Sequence, residues 1–65
     1  MTVQDALREL LIENPGGVVT VAMVCERVGR QISRNSVSKQ AGVLGRSWCV
    51  GIPGARGGYL SRVQP

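Results

Sequence analysis

A chain of 65 residues with 43% apolar side chains and a net charge of +4 has room for one small domain. Such a chain withdraws only about 60% of its unfolded surface from water, which argues against a large internal active site. There is no histidine, and the only two cysteines, Cys25 and Cys49, are far apart, so a zinc site lacks ligands and no cofactor is expected. The longest apolar run, Val21 to Cys25, falls far short of the roughly 20 residues of a membrane span.

The chain opens on a helix pattern rather than a secretory signal, so the expectation is a soluble cytoplasmic protein of a bacterial, archaeal or phage-infected cell, nucleoid-associated, with no membrane partner. In that setting the cysteines are expected as buried free thiols.

The first helix is predicted over residues 2–13. Thr2 caps it, with Asp5 three residues on in the manner of a capping box. Val3, Ala6, Leu7, Leu10 and Leu11 recur at helical spacing and form its inward stripe, while Asp5, Glu9 and Glu13 line the outside, where three acids at successive turns repel modestly. Asn14-Pro15-Gly16-Gly17 ends the helix, because proline cannot continue it and the glycines accept a turn. Val18-Val19 suffices for one short strand. Thr20 caps a second helix over 20–28 with Val21, Val24, Cys25 and Val28 inward, and Gly29 stops it in left-handed geometry. Ile12 and Met23 are expected to project outward.

After a turn anchored by Ile32, Ser33 caps a third helix over 33–45. Val37, Ala41 and Leu44 share its inward face. At about 100° per residue the opposite face carries Asn35, Lys39, Gly42 and Arg46, flanked by Arg34, Ser36 and Ser38. From residue 48 the period changes to two: Trp48, Val50 and Ile52 alternate with Cys49 and Gly51, as in a half-buried strand with Trp48 plugging the core. The run from Pro53 to Gly58 is turn chemistry, and Tyr59 to Val63 returns as a second strand, so residues 48–63 form a hairpin. The fold expected is α+β, a single winged helix-turn-helix domain over 1–65 with three helices, a short strand and a C-terminal two-stranded wing.

Charge is distributed as unevenly as the pattern. All four acids lie in the first 26 residues, and of eight Lys and Arg only Arg8 precedes residue 27. A basic half that also holds a helix and a glycine-rich hairpin points to nucleic acid, a helix face of amides, hydroxyls and cations being suited to lie between two phosphate backbones. Arg34, Asn35, Ser36 and Lys39 are the candidates for base edges, flanked by Ser33 and Ser38. Arg30 and Arg46 suit phosphates, and Arg56, alone at the hairpin tip, suits a phosphate or the minor groove. Gly42 is unexplained in mid-helix, unless a ligand backbone comes close to it. With two aromatics, a stacking platform for single strands is poorly supported.

The run Ile32-Ser-Arg-Asn-Ser-Val-Ser-Lys39, then Trp48, then Ile52-Pro-Gly-Ala-Arg-Gly-Gly-Tyr-Leu60, resembles the DNA-binding domain of biotin operon repressors. The resemblance implies a winged helix-turn-helix that binds operators as a dimer through a recognition helix and a wing. It maps Ser33, Arg34, Ser36, Lys39 and the turn at Arg56 onto DNA-contacting regions. Gly42, Gly45 and extra wing residues depart from that family's pattern, and biotin sensing is not carried over.

The function expected is therefore double-stranded DNA binding by a small transcriptional regulator or phage- or plasmid-type factor, with a homodimer or protein partner and no small-molecule ligand. The alternative is a winged-helix adaptor that binds a polymerase or another regulator. An enzyme is excluded by the want of histidine, the confinement of acids to the first two helices, and the lack of Lys-Ser/Thr after the glycine-rich turn.

Overall fold

Three hydroxyl caps begin the three helices of the computed structural model, which describes residues 1–54 and 57–64. Thr2, Thr20 and Ser33 hold extended backbone, and their hydroxyls accept the N–H groups of Asp5 (3.1 Å), Met23 (3.2 Å) and Ser36 (3.1 Å), donors that a first helical turn leaves without partners. They open α1 (Val3–Glu13), α2 (Val21–Val28) and α3 (Arg34–Leu44). Gly29 ends α2 at φ 84°, ψ 22°, a left-handed conformation that glycine adopts at no steric cost.

The Asp5 carboxylate accepts from Arg8 at 2.8 Å and is held below the usual carboxylate range by its Thr2 cap and by Arg8. At α2 the return bond is made by the Met23 thioether, which accepts the Thr20 N–H at 3.4 Å. Met23 is thereby folded back against the core and does not project outward, whereas Ile12 is 56% exposed, as expected.

α1 lies at the centre, packed against both α2 and α3. Its Ala6, Leu7, Leu10 and Leu11 join Val19, Val24, Ile32, Val37, Ala41 and Cys49 in one core, where each fully buried Leu or Val contributes about 1.5–3 kcal/mol. The α+β architecture is completed by one antiparallel sheet of β1 (Val18–Val19), β2 (Cys49–Gly51) and β3 (Tyr59–Ser61), in the order β1-β3-β2. The short strand ahead of the second helix is thus part of the sheet, pairing Val18 with Leu60 and Val19 with Tyr59.

The register is set by Ser61, the buried polar residue of the core. Its N–H donates to the Gly17 carbonyl at 2.8 Å, its carbonyl accepts from the Gly16 N–H at 3.2 Å, and its hydroxyl donates to the Leu11 carbonyl at 2.8 Å. That last bond has a covalent cause. The helical partner of Leu11 would be the N–H of residue 15, and Pro15 has none. The hydroxyl supplies the missing donor, which turns Ser61 inward.

Cys49 pairs with Ser61 and therefore also points inward, since side chains alternate across a pleated strand. Cys49 is thus buried, as expected of the thiol, and Trp48 packs half-buried against the margin of the core, but Val50 and Ile52, which alternate with Cys49, face out at 40% exposure.

The acids of α1 do not simply line a solvated face. Arg27 of α2 binds Glu13 in a two-pronged pair at 2.7 and 2.9 Å and reaches Glu9 at 3.0 Å, tying the two helices together. These bonds hold the Glu13 carboxyl below the usual carboxylate range and raise the Arg27 guanidinium further above its own.

Two outcomes follow. Ser61→Ala should lower stability by about 1–3 kcal/mol, because it leaves the Leu11 carbonyl without a donor in the core; an unchanged urea midpoint would show that water serves that carbonyl equally well. For the ion pairs, a carboxyl whose folded pKa is depressed stabilises fully above its unfolded value and loses that effect as pH falls through the folded one. Stability should therefore decline below about pH 4.3, and Arg27→Gln should flatten the decline, more visibly at low salt because the pairs are exposed. Superimposable acid limbs for the two proteins would remove the role assigned to Arg27.

Candidate functional site

α3 presents its polar residues because its apolar ones are spaced for a single face. Val37 and Ala41 are buried and Leu44 is half-buried, while Arg34, Asn35, Ser36, Ser38, Lys39, Gly42 and Val43 are exposed along the helix. Arg30 and Ser33 before it and Arg46 after it are exposed too. Arg56 lies outside the described residues.

Two shallow grooves flank the ridge of α3. One, of about 360 Å³, is bordered by the turn between α2 and α3 and collects Arg30, Ser33, Ser36 and Lys39. The other, of about 450 Å³, runs between α3 and the hairpin and is lined by Ser38, Gly42, Gly45 and Arg46 with Gly51 and Tyr59. Six sequence-derived candidates thus fall on the two sides of one helix, while Arg34 and Asn35 line neither groove.

The turn that sets the angle of α3 is built around Cys25. Its carbonyl accepts the N–H groups of Gly29 (2.9 Å) and Arg30 (3.2 Å), and its sulfur accepts the Ile32 N–H at 3.3 Å and donates to the Ile32 carbonyl at 3.5 Å. This half-buried thiol staples the end of α2 to the residue before the cap of α3. It is free, like Cys49, whose thiol pKa is pushed up by burial.

At the start of α3 the Ser33 hydroxyl accepts the Ser36 N–H and donates to the Ser36 hydroxyl at 2.9 Å. Ser33 is thereby committed to the cap, while the Ser36 hydroxyl keeps its own hydrogen for an outside acceptor.

The cations divide by element. Arg8 is paired with Asp5, and Arg27 with Glu9 and Glu13. Among the described residues Arg30, Arg34, Lys39, Arg46 and Arg62 have no ion-pair partner. Pairing thus engages both arginines of α1 and α2 with acids and leaves the described cations on and around α3, together with Arg62, unpaired.

Sequence reasoning missed two features of this surface. Val43 is 62% exposed on the outer side of α3; its signal was available, since position 43 falls opposite Ala41 and Val37 on the helical wheel. Arg34 also does not simply project outward, for its guanidinium lies against Gly57 in the return arm of the hairpin. Among the described residues no three histidine, cysteine or acidic side chains gather where they could hold a metal ion.

Gly42 has a local explanation only in part. A Cβ built there meets nothing within 4 Å, so packing within the chain does not require glycine, and its lack of a side chain simply widens the groove beside the hairpin. Gly42→Ala should raise stability by about 1 kcal/mol, or about 4–8 °C in Tm for a domain of this size. A lower Tm would reveal a constraint on that backbone which the helix geometry does not contain.

No protein family, curated protein or solved structure matches the chain.

Proposed function

We propose that the domain is a winged helix-turn-helix that binds double-stranded DNA, acting as a small transcriptional regulator or a phage- or plasmid-type DNA-binding factor. In this reading α3 is the recognition helix, lying in the major groove, and the hairpin between β2 and β3 is the wing. The observation that carries the reading is the segregation of charge. The outer face of α3 and its flanks hold exposed cations, an amide and hydroxyls without a carboxylate, while the acids lie on α1 and α2, three of them in ion pairs with Arg8 and Arg27.

Asn35 and Lys39 carry the donors and acceptors that discriminate base edges in a major groove. Arg30 and Arg46, one on each side of the helix, suit the two phosphate backbones that border that groove. Cys25, which staples the turn to α2, would keep the helix from swivelling as it docks.

The test is fluorescence anisotropy with a labelled duplex, titrated from low to physiological salt. Log affinity should fall linearly with log salt, and Lys39→Ala and Arg46→Ala should each weaken binding while leaving the circular dichroism spectrum unchanged. Unchanged affinity in both variants would reject this contact face.

A second reading, an adaptor for another protein, draws support from the outer side of the sheet. There Val18, Leu60 and Val50 stand in one cross-strand row with Ile52 beside it, each 40–47% exposed. Failure to bind any duplex at low salt would favour it.

A further inference from the structure

Arg34 is the first residue of α3, and its side chain runs to the hairpin rather than straight out from the helix. A Cβ placed on Gly57 would lie 2.5 Å from Nη2, 3.2 Å from Cζ and 3.4 Å from Nε of Arg34. The guanidinium therefore covers the α-carbon of Gly57, and any side chain at that position would displace it. Glycine suits the position chiefly because Gly57 holds φ +58°, in the left-handed region that other residues avoid, while a side chain there would push the guanidinium aside. At the next position a Cβ on Gly58 would come within 3.0 Å of Val18 Cγ1. The return arm of the hairpin thus passes through a slot, with β1 on one side and Arg34 on the other.

What the guanidinium lacks is as informative as what it touches. Among the described residues Arg34 makes no ion pair and no hydrogen bond, and no acid exists from residue 27 onward. Its planar fork rests on Gly57 and, among the described residues, its N–H donors stay unspent, a state suited to receiving the paired oxygens of a phosphodiester. A base-reading side chain must extend from the helix into a groove; this one is laid sideways across the junction of two elements.

We propose that Arg34 is a positioning residue that holds the hairpin against α3 and takes a DNA phosphodiester at that junction, with Gly57 as the residue that makes room for it. The proposal rests on the DNA-binding reading and assigns Arg34 to the backbone, in place of the base contact expected from sequence.

The experiment compares wild type, Arg34→Ala, Arg34→Lys, Gly57→Ala, the Arg34→Ala/Gly57→Ala double variant and Lys39→Ala on a panel of duplexes of different sequence, across a salt series. Arg34→Ala should weaken binding several-fold and uniformly across the panel, and reduce the salt slope by about 1, as loss of one phosphate contact does. Gly57→Ala should reproduce that loss with Arg34 still present, and the double variant should bind no worse than the weaker single one. Arg34→Lys should recover little, because an ammonium lacks the planar fork. In the DNA-free protein, the amide resonances of Gly58 and Tyr59 should shift in Arg34→Ala, which tests the hairpin contact without DNA and without relying on the folding of Gly57→Ala.

Two results would overturn the inference alone. One is a relaxed preference at a single base position with an unchanged salt slope in Arg34→Ala. The other is an Arg34→Ala protein that binds as wild type while Lys39→Ala is weakened. Absence of binding by the wild type at low salt would instead remove the DNA-binding reading itself.

Discussion

The hydrogen bond from the Ser61 hydroxyl to the Leu11 carbonyl joins residues fifty apart in sequence, and much of the architecture depends on it. Proline at position 15 ends α1 but strips the last turn of a donor. A buried carbonyl without a partner costs about 1–3 kcal/mol, a large share of the stability available to a domain this small. Ser61 removes that cost and, in turning inward, decides which side of β3 faces the core. Through the ladder it decides the facing of Cys49 and Val50 as well, so one hydroxyl couples the end of the first helix to the orientation of β2 and β3.

A second constraint is electrostatic. The domain has few acids and assigns three of them to ion pairs: Asp5 to Arg8, and Glu9 and Glu13 to Arg27. Pairs this exposed contribute little each to stability. Their larger consequence is for the field around the molecule, since both arginines of α1 and α2 are drawn to acids while the cations of α3 and its flanks share their segment with no acid at all. The charge asymmetry of the sequence becomes, in the fold, an asymmetry between faces, and this underlies the DNA-binding reading proposed for it.

Glycine serves two different ends in the half that carries this surface. Gly57 is fixed by its positive φ and lies under the Arg34 guanidinium, while Gly42 is fixed by neither conformation nor packing. The first is a structural requirement of the junction between helix and hairpin. The second weakens a helix that tertiary contacts must then hold, and the open groove beside it is the visible result.

The features legible in the sequence were those set by near neighbours. Thr2, Thr20 and Ser33 act as caps because a hydroxyl reaches an N–H three residues away whatever the rest of the chain does, and Gly29 ends α2 by its own backbone freedom. The 3.6-residue period of Val37, Ala41 and Leu44 turned the exposed candidates of α3 outward, from Asn35 to Arg46, as expected. What the sequence left open was every choice requiring a partner from a distant segment. In Trp48 to Ile52 both faces of the strand are apolar or small, so alternation alone could not say which is buried, and Ser61 settled it. Met23 looked like surface because its thioether bond to the Thr20 N–H follows side-chain conformation rather than period. The clamp of Arg27 on Glu9 and Glu13 and the reach of Arg34 to Gly57 arise only once helices and hairpin are packed. Short-range hydrogen bonding and periodicity are written along the chain, whereas the facing of a short strand and the pairing of a long side chain are decided by what the fold brings beside them.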